Sequence, residues 1–258
     1  MDKYKCLVVD QEMLIDDIYS LWVEAHELVS AAHSGQFVSV YSADKSRLLP
    51  RPISICDLDK EKGRLRLVYR IAGAGTLEFS SLKAGDSVDI LGPLGNGYDM
   101  NCEKPVLLGG GIGIPPMLRL ARELRDKGIS KENLSVVLGY RDAAFLLEEF
   151  QEIATVYITS DNGAVGIKGN VIDGIKEYNV TGDMIFSCGP TPMLRAVKVF
   201  SEELGIRAQL SLEEKMACGV GACLACVCES TEVDDHSKVH NKRICKDGPV
   251  FYAEEVVL

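Results

Sequence analysis

Polar and hydrophobic residues alternate along most of the first hundred positions of the chain. The alternation recurs in short runs bounded by turn residues, among them KCLVVDQEM, residues 18–26, GQFVSVYS, PRPISICDLD, GRLRLVYRIA and DSVDILGPLG. Successive side chains of a strand point to opposite faces, so a period of two predicts strands buried on one side. Short strands at this spacing predict a closed or nearly closed antiparallel β-barrel over residues 1–99.

The pattern changes over residues 100–212, where strands and helices alternate. KPVLLGGG, NLSVVLGYRD, TVYITSD and MIFSCGP are typical of buried strands, whereas IPPMLRLARELRDKG, AAFLLEEFQEIA and TPMLRAVKVFSEELG have helical periodicity. Such alternation predicts a parallel sheet with crossover helices. Residues 213–258 hold most of the cysteines and little periodic pattern, which predicts a small module built around a metal centre. The fold class expected is therefore multidomain, β plus α/β, with three modules.

Charge and hydropathy narrow the functions open to the chain. Its 28 basic and 38 acidic residues give a net charge of −10, which argues against nucleic acid or an anionic membrane as partner. The first residues show no signal-peptide pattern, and no apolar run approaches membrane-spanning length. We therefore expect a cytoplasmic protein, in which disulfides are rare and clustered cysteines bind metal or carry out redox chemistry.

Four cysteines occur within the stretch MACGVGACLACVCES. Cys218, Cys223 and Cys226 are spaced C-x4-C-x2-C, and Cys245 follows nineteen positions later. This is the spacing of plant-type 2Fe–2S ferredoxins, with small residues between the cysteines that let the backbone approach the cluster. A structural zinc site is the alternative, because Cys223 and Cys226 also form one zinc knuckle. We expect Cys228 to be a bystander.

Two motifs in the barrel region are suited to a flavin. RPIS, at 51–54, places the guanidinium of Arg51 and the hydroxyl of Ser54 on one strand, where they can meet a pyrophosphate and a flavin edge. LVYRIAGAGT ends a strand in a glycine-rich turn that can direct N–H groups, and the Thr76 hydroxyl, at a phosphate. Tyr69 is a candidate to pack on the flavin. Either motif alone is also compatible with an ordinary strand start or hairpin.

Two later motifs predict a nicotinamide site. VLLGGGIGIPPM is a buried strand, a glycine turn and a helix start, which suits a pyrophosphate although it is not the usual Rossmann fingerprint. SCGPTPM lies at a later strand end, on the edge where open α/β sheets bind ligands. The alternatives are a ligand-free turn and a buried core thiol at Cys188, which we do not expect to be a nucleophile. The candidate residues are Gly109, Gly110, Gly111, Ile112, Gly113, Cys188, Gly189, Pro190 and Met193. Asp142 would repel a 2′-phosphate and Arg141 could attract one, and we favour NAD.

The order of these motifs resembles that of the ferredoxin reductase family. RPISICD, LVYRIAGAGT, LLGGGIGIPPM, CGPTPML, SLEEKMACGVGACLACVC and CKDGPVF further resemble the electron-transfer subunits of type B dihydroorotate dehydrogenases, over essentially the whole chain. The resemblance implies FAD contacts at Arg51, Pro52, Ile53 and Ser54, at Val68, Tyr69 and Arg70, and at Gly75 and Thr76. It also implies cluster ligation by Cys218, Cys223, Cys226 and Cys245.

The same resemblance implies a partner and a reaction. The partner is a separate FMN-containing catalytic subunit that oxidises dihydroorotate in pyrimidine biosynthesis, in a heterotetramer with two copies of each subunit. The extra Cys228 and the long acidic stretch ESTEVDDHSKVH depart from the family pattern. Two other functions are compatible with the sequence: a related flavin and iron–sulfur subunit of another complex, such as a sulfhydrogenase, an NADH–ferredoxin enzyme or a glutamate-synthase-like assembly, and a zinc-stapled module that binds a nucleotide without turnover.

Overall fold

The N-terminal part of the chain forms a closed antiparallel β-barrel. The computed structural model describes residues 2–233 and 238–258, so part of the acidic stretch before Cys245 lies outside the described residues. The barrel order is β1-β2-β5-β4-β3-β6. Its strands are β1 (Lys3–Ile15), β2 (Ile18–Glu24), β3 (Phe37–Tyr41), β4 (Arg51–Asp59), β5 (Arg64–Arg70) and β6 (Ser87–Leu94). Leu21, Ile55, Leu67 and Ile90 are fully buried inside it. Burial alternates along β6 as predicted, whereas β3 and β5 are buried along most of their length because other parts of the chain cover their outer face.

Two short helices lie where the sequence indicated other structures. α1 (His26–Ala31) begins at the end of a segment predicted as strand, because β2 already ends at Glu24. α2 (Ala74–Phe79) occupies the turn predicted after β5. The Thr76 hydroxyl accepts hydrogen bonds from the N–H groups of Ala72 (2.9 Å) and Gly73 (3.2 Å), which closes the first turn of this helix.

The middle of the chain forms the predicted parallel sheet. Its strands are β7 (Pro105–Gly110), β8 (Ser135–Tyr140), β9 (Thr155–Ser160), β10 (Ile167–Lys168), β11 (Met184–Cys188) and β12 (Arg207–Ser211). The helices are α3 (Ile114–Asp126), α4 (Leu147–Ile153), α5 (Val171–Glu177) and α6 (Thr191–Leu204). α4 starts later than AAFLLEEFQEIA predicts, because Leu146 adopts a left-handed φ of 59°. No helix in the described part of the chain is both long and apolar enough to cross a membrane.

The C-terminal segment contains three short strands. β13 (Val227–Glu229) and β14 (Asn241–Arg243) form a two-stranded hairpin. β15 (Val250–Tyr252) instead joins the large sheet, whose order is β10-β9-β8-β7-β11-β12-β15. It pairs antiparallel to β12, with Leu210 opposite Phe251. The cysteine-rich module is therefore continuous with the nucleotide-domain sheet through its last strand.

A largely buried group of charges joins the barrel to the parallel-sheet domain. Arg66 of β5 donates two hydrogen bonds to Glu149 of α4, at 2.7 and 2.9 Å, and Arg122 of α3 donates a third, at 2.8 Å. Arg122 also pairs with Asp57 of β4 at 3.0 Å, and Arg119 lies 3.5 Å from the same carboxylate. Burial raises the pKa of Asp57, against the lowering effect of Arg122. These pairs fix the orientation of the two domains.

Candidate functional site

The four predicted cluster cysteines lie together as two adjoining pairs. Cys218 lies close enough to Cys223 to affect its ionisation, and Cys226 stands in the same relation to Cys245, whose N–H donates to Cys226 Sγ at 3.4 Å. Cys226 and Cys245 are each 2% exposed, whereas Cys223 is exposed. One pair therefore faces the interior and the other faces the surface.

Backbone N–H groups point at these sulfurs. Val220 and Ala222 donate to Cys218 Sγ at 3.4 and 3.3 Å, and Gly221 donates to Cys245 Sγ at 3.1 Å. Although burial opposes ionisation of Cys218, these hydrogen bonds and one with Cys223 lower its pKa to about 6. Burial and the neighbouring Cys226 raise the pKa of Cys245 to about 12. Gly221 has a φ of +81°, a left-handed conformation that glycine adopts readily and that lets successive N–H groups point at the sulfurs.

The arrangement in pairs distinguishes two kinds of metal centre. In a 2Fe–2S cluster the four cysteines are shared between two irons, two to each, whereas a structural zinc ion needs four ligands around one point. Two adjoining pairs of thiols, with backbone N–H groups directed at Cys218 and Cys245, fit a cluster that takes two cysteines at each iron.

Cys228 stands apart from the two pairs. Its thiol contacts the carbonyl oxygen of Lys242 across the β13–β14 hairpin, at 3.6 Å. Burial raises its pKa to about 11. This location agrees with the prediction that Cys228 is a bystander, which stays a prediction.

The cysteine loop packs directly on the barrel. A Cβ added at Gly219, whose φ is +70°, would lie 3.0 Å from Ser39 Oγ and 3.4 Å from Leu94 Cδ1. Ser39 pairs with Pro52 of the RPIS motif in the β3–β4 ladder. The cysteine loop and the predicted flavin strand are therefore separated by a single strand.

The RPIS motif and the glycine turn meet on the barrel surface. The Arg51 side chain covers Gly75, where a Cβ would lie 2.6 Å from Arg51 Nε. Arg51 forms no ion pair with any described carboxylate and donates only to the carbonyl oxygens of Leu49 and Pro50. A permanent cation beside a short helix start, without an acidic partner, suits a phosphate. The Thr76 hydroxyl, in contrast, is already used to cap α2.

Tyr69 is buried in the barrel and is only 3% exposed. Its ring stacks on Tyr19 at 6.0 Å and meets Phe79 edge-on, and its hydroxyl hydrogen-bonds Gln11 at 3.1 Å. Burial raises its pKa far above the ordinary range. The Tyr69 ring is therefore packed among barrel side chains, and its expected contact with a flavin stays a prediction.

Arg70 leaves the end of β5 and reaches the parallel-sheet domain. Its Nη2 lies 3.6 Å from the position of a Cβ on Gly111, which has a φ of +53°. Arg70 has no ion-pair partner in the described part of the chain. The guanidinium thus stands between the barrel and the first glycine turn, where a dinucleotide spanning both domains would present phosphate.

The two nicotinamide motifs converge at the carboxyl ends of β7 and β11, which are neighbours in the sheet. A Cβ on Gly113 would lie 2.3 Å from the carbonyl oxygen of Cys188. A Cβ on Gly110 would lie 2.4 Å from Met193 Sδ, and one on Gly189 would lie 2.5 Å from Met193 Cε. The two loops therefore pack closely on each other. At Gly113 the neighbour is backbone, which leaves no room for a side chain, whereas at Gly110 and Gly189 it is the flexible end of Met193. Together the loops form one edge for a ligand.

Cys188 lies at this edge beside the buried Tyr98. Burial raises the pKa of Cys188 to about 12, against a hydrogen bond from Ser211 that lowers it. That Cys188 is not a nucleophile stays a prediction. Asp142 follows β8, and its Oδ1 accepts a hydrogen bond from Asn162 Nδ2 at 3.1 Å. Arg141 is largely exposed.

Sequence reasoning missed two residues that join the modules. Ser39 is 1% exposed and meets the cysteine loop at Gly219. Asn96 binds the turn that follows Cys245, through bonds described below. Serine in a strand carries no sequence signal for such contacts. The only hint for Asn96 was its place in the glycine-rich loop GPLGNG after a strand.

Comparison with known proteins identifies two of the domains. The family described as the iron–sulfur cluster binding domain of dihydroorotate dehydrogenase B matches residues 213–257, and the oxidoreductase FAD-binding domain matches residues 6–98. "Dihydroorotate dehydrogenase B (NAD(+)), electron transfer subunit" of Listeria monocytogenes is 42% identical over 257 residues, covering 97% of both chains. The protein of that name from Bacillus cereus strain B4264 is 40% identical over 265 residues and all of both chains.

Solved structures agree on the architecture. An NADH-dependent reduced ferredoxin–NADP oxidoreductase, studied for electron bifurcation, has a TM-score of 0.87 at 30% identity, over 98% of this chain and 90% of the other. Phthalate dioxygenase reductase has a TM-score of 0.65 at 18% identity, over 94% of both chains, and shows the fold alone.

The barrel, the parallel sheet and the cysteine module together define an FAD-dependent oxidoreductase with an iron–sulfur domain. Within that class, the full-length identities of 40–42% are decisive. The chain belongs to the family of dihydroorotate dehydrogenase B electron transfer subunits.

Proposed function

We propose that this chain is the electron-transfer subunit of an NAD-dependent dihydroorotate dehydrogenase. It passes electrons between the FMN of a catalytic partner subunit and NAD+, through a 2Fe–2S cluster and FAD, in de novo pyrimidine (UMP) biosynthesis. The observation that carries the proposal is the seating of the cysteine loop on the barrel wall, with Gly219 against Ser39 and the RPIS strand next in the ladder. Flavin and metal sites in such proximity suit electron transfer.

We propose that residues 1–99 bind FAD, residues 100–212 bind NAD and residues 213–258 bind the cluster. When bound, FAD takes up or releases a hydride and exchanges single electrons with the cluster. Arg51 and Arg70 provide positive charge for the diphosphates, since neither is neutralised by a described carboxylate. Gly110, Gly113 and Gly189 keep the edge of the sheet open for the nicotinamide. Asp142, oriented by Asn162, favours NAD over NADP.

Electrons leave the chain at the pair of cysteines that faces the surface, Cys218 and Cys223. Cys223 is exposed, and it is flanked by two apolar side chains that are also exposed, Val220 (37%) and Leu224 (49%). Leu224 adopts a left-handed φ of 57°, which is costly for a branched residue. We propose that this face meets the FMN-containing subunit, in a heterotetramer with two copies of each chain, in the cytoplasm. We expect the dihydroorotate site to lie on the partner.

A second candidate is the corresponding subunit of another complex. The 30% identity and TM-score of 0.87 with an NADH-dependent reduced ferredoxin–NADP oxidoreductase favour it specifically. The higher identity to the dihydroorotate dehydrogenase subunits makes it second.

The first test is an absorption spectrum of the purified chain, before and after anaerobic NADH, with iron and zinc assayed on the same sample. We expect flavin bands, iron, and bleaching by NADH. Colourless protein containing zinc would contradict the proposal and support a zinc-stapled module.

The second test identifies the partner complex. The chain is combined with an FMN-dependent dihydroorotate dehydrogenase from the same organism, and dihydroorotate-driven NAD+ reduction is measured. We expect Cys218→Ala to abolish this coupled reaction and to spare NADH oxidation with an artificial flavin oxidant. Coupling only to ferredoxin, and never to dihydroorotate, would favour the second candidate.

A further inference from the structure

Asn96 lies in the loop that leaves the flavin barrel after β6, and it binds the turn that follows the fourth cysteine. Its backbone N–H donates to the carbonyl oxygen of Gly248 at 2.6 Å. Its side-chain amide donates to the carbonyl oxygens of Lys246 at 3.2 Å and Asp247 at 3.0 Å. One barrel residue thus satisfies three successive carbonyl groups of the cluster module.

The neighbouring backbone is packed too closely to move independently. Gly95 has a φ of +73°, and a Cβ there would lie 2.6 Å from Pro249 Cδ and 2.7 Å from the Gly248 carbonyl oxygen. Asn96 also forms a parallel bridge with Pro249. The loop and the turn therefore have one relative position, and Asn96 supplies the directional bonds that define it.

The turn at residues 246–248 is joined directly to the buried cysteine pair, Cys226 and Cys245, so a shift of the turn also shifts that pair. Cys245 immediately precedes residues 246–248, and its N–H donates to Cys226 Sγ at 3.4 Å. Another contact of the module with the barrel is Gly219 against Ser39 and Leu94. Leu94 ends the strand from which the Asn96 loop departs. Both ends of the cysteine site are therefore held by the same end of the barrel.

We propose that Asn96 is a positioning residue that sets the distance and orientation between the cluster and the flavin. The inference rests on the proposed function. Asn96 acts through residues 246–248, to which its hydrogen bonds are directed. Two N–H donors on one short planar group are needed to reach two carbonyl oxygens at once, a requirement that aspartate and alanine do not meet.

The test uses the full chain with its flavin and iron, and compares Asn96→Ala with Asn101→Ala. Asn101 lies in the same loop, and in the described residues only its backbone N–H is hydrogen-bonded, to Asp99. After anaerobic mixing with NADH, flavin bleaching and cluster reduction are followed separately. In Asn96→Ala we expect flavin bleaching close to that of wild type and cluster reduction slowed severalfold, because the rate of electron transfer falls as the two cofactors move apart. Asn101→Ala should match wild type in both.

Two further readouts do not depend on turnover. In Asn96→Ala the electron paramagnetic resonance lines of the dithionite-reduced cluster should broaden, and hydrogen exchange over residues 243–250 should accelerate. Asn96→Asp should reproduce both effects, because a carboxylate facing two carbonyl oxygens cannot donate.

Three results would overturn the inference. One is an unchanged rate of cluster reduction in Asn96→Ala with full iron content. A second is an equal slowing in Asn101→Ala. The third is loss of iron from both Asn96 variants, because Asn96 would then retain the cluster and not place it. Wild-type protein lacking iron or flavin would instead contradict the proposed function itself.

Discussion

Glu149 is the central acceptor of the charge group between the barrel and the parallel-sheet domain, and its replacement by glutamine is the most informative perturbation of that interface. The carboxylate accepts two hydrogen bonds from Arg66 and one from Arg122. The Arg66 side chain is 7% exposed and that of Glu149 is 29% exposed. Glu149→Gln keeps the shape but removes the charge opposite a buried guanidinium.

The expected cost follows from the burial of the arginine. Removing one partner of a fully buried pair costs about 3–5 kcal/mol. Glu149 is partly exposed, and Arg66 keeps a bond to Ser20 at 2.9 Å and a weak contact with Glu12 at 3.8 Å. We therefore expect the free energy of unfolding to fall by only about 2–3 kcal/mol, because water screens the charge that Arg66 keeps. For a chain of this size that corresponds to a fall in melting temperature of roughly 5–10 °C.

The measurement is urea and thermal unfolding of the flavin-loaded protein, with Glu148→Gln as the matched control. Glu148 is the preceding residue, is exposed, and forms no ion pair in the described part of the chain. It should change stability by less than about 0.5 kcal/mol. A double-mutant cycle with Arg66→Met should give a coupling of about 1–3 kcal/mol. If Glu149→Gln is no more destabilising than Glu148→Gln, the interface does not depend on these charges and the reasoning is wrong.

Three further predictions concern the nucleotide edge, the pH response and the cysteines. Gly113→Ala should slow flavin reduction by NADH about tenfold or more, because its Cβ would lie 2.3 Å from the Cys188 carbonyl oxygen; the reference is wild-type protein of equal flavin content, and equal rates would refute the clash. Burial opposes ionisation of Glu123, but hydrogen bonds from Ser34 and the charge of Arg119 lower its pKa below the ordinary 4.5. The ionised Glu123 therefore stabilises the fold at neutral pH, and this stabilisation is lost as the pH falls through the lowered pKa. In urea unfolding, the loss of stability caused by Glu123→Gln should shrink below about pH 4.5. A loss that stays constant with pH would contradict the lowered pKa of Glu123. Cys223→Ser should lose iron in a colorimetric assay whereas Cys228→Ser should retain it, and iron loss from Cys228→Ser would make Cys228 a ligand.

Much of the fold could be predicted because burial has a simple period. The alternation in β6 and in β5 fixes which side chains fill the barrel, and the apolar run of β7 identifies a strand covered on both faces. The start of α4 could not be predicted, because nothing in AAFLLEEFQEIA marks Leu146 as left-handed. α5 has a capping asparagine, Asn170, but is short and follows a loop rich in glycine, so its signal is weak.

The candidate site was predictable where chemistry imposes a spacing. Cys218, Cys223 and Cys226 are constrained by a cluster, and the glycines of the nucleotide edge by backbone contact. Tyr69 lies on the same face of β5 as Leu65 and Leu67, so the alternation of that strand also places it inside the barrel. Ser39 and Asn96 gain their roles only when distant segments meet, and neither residue type is unusual in its local sequence.

The last strand of the chain has a consequence for how the protein fails. β15 covers the outer edge of β12, pairing with residues 209–211 beside the buried Leu210. A chain cut after residue 212 would leave that edge open, with unpaired N–H and C=O groups available to another molecule. We therefore expect the chain to aggregate when the cysteine segment is removed by proteolysis. Truncation is then not a route to an isolated flavin reductase. The module protects the sheet as well as carrying the metal centre.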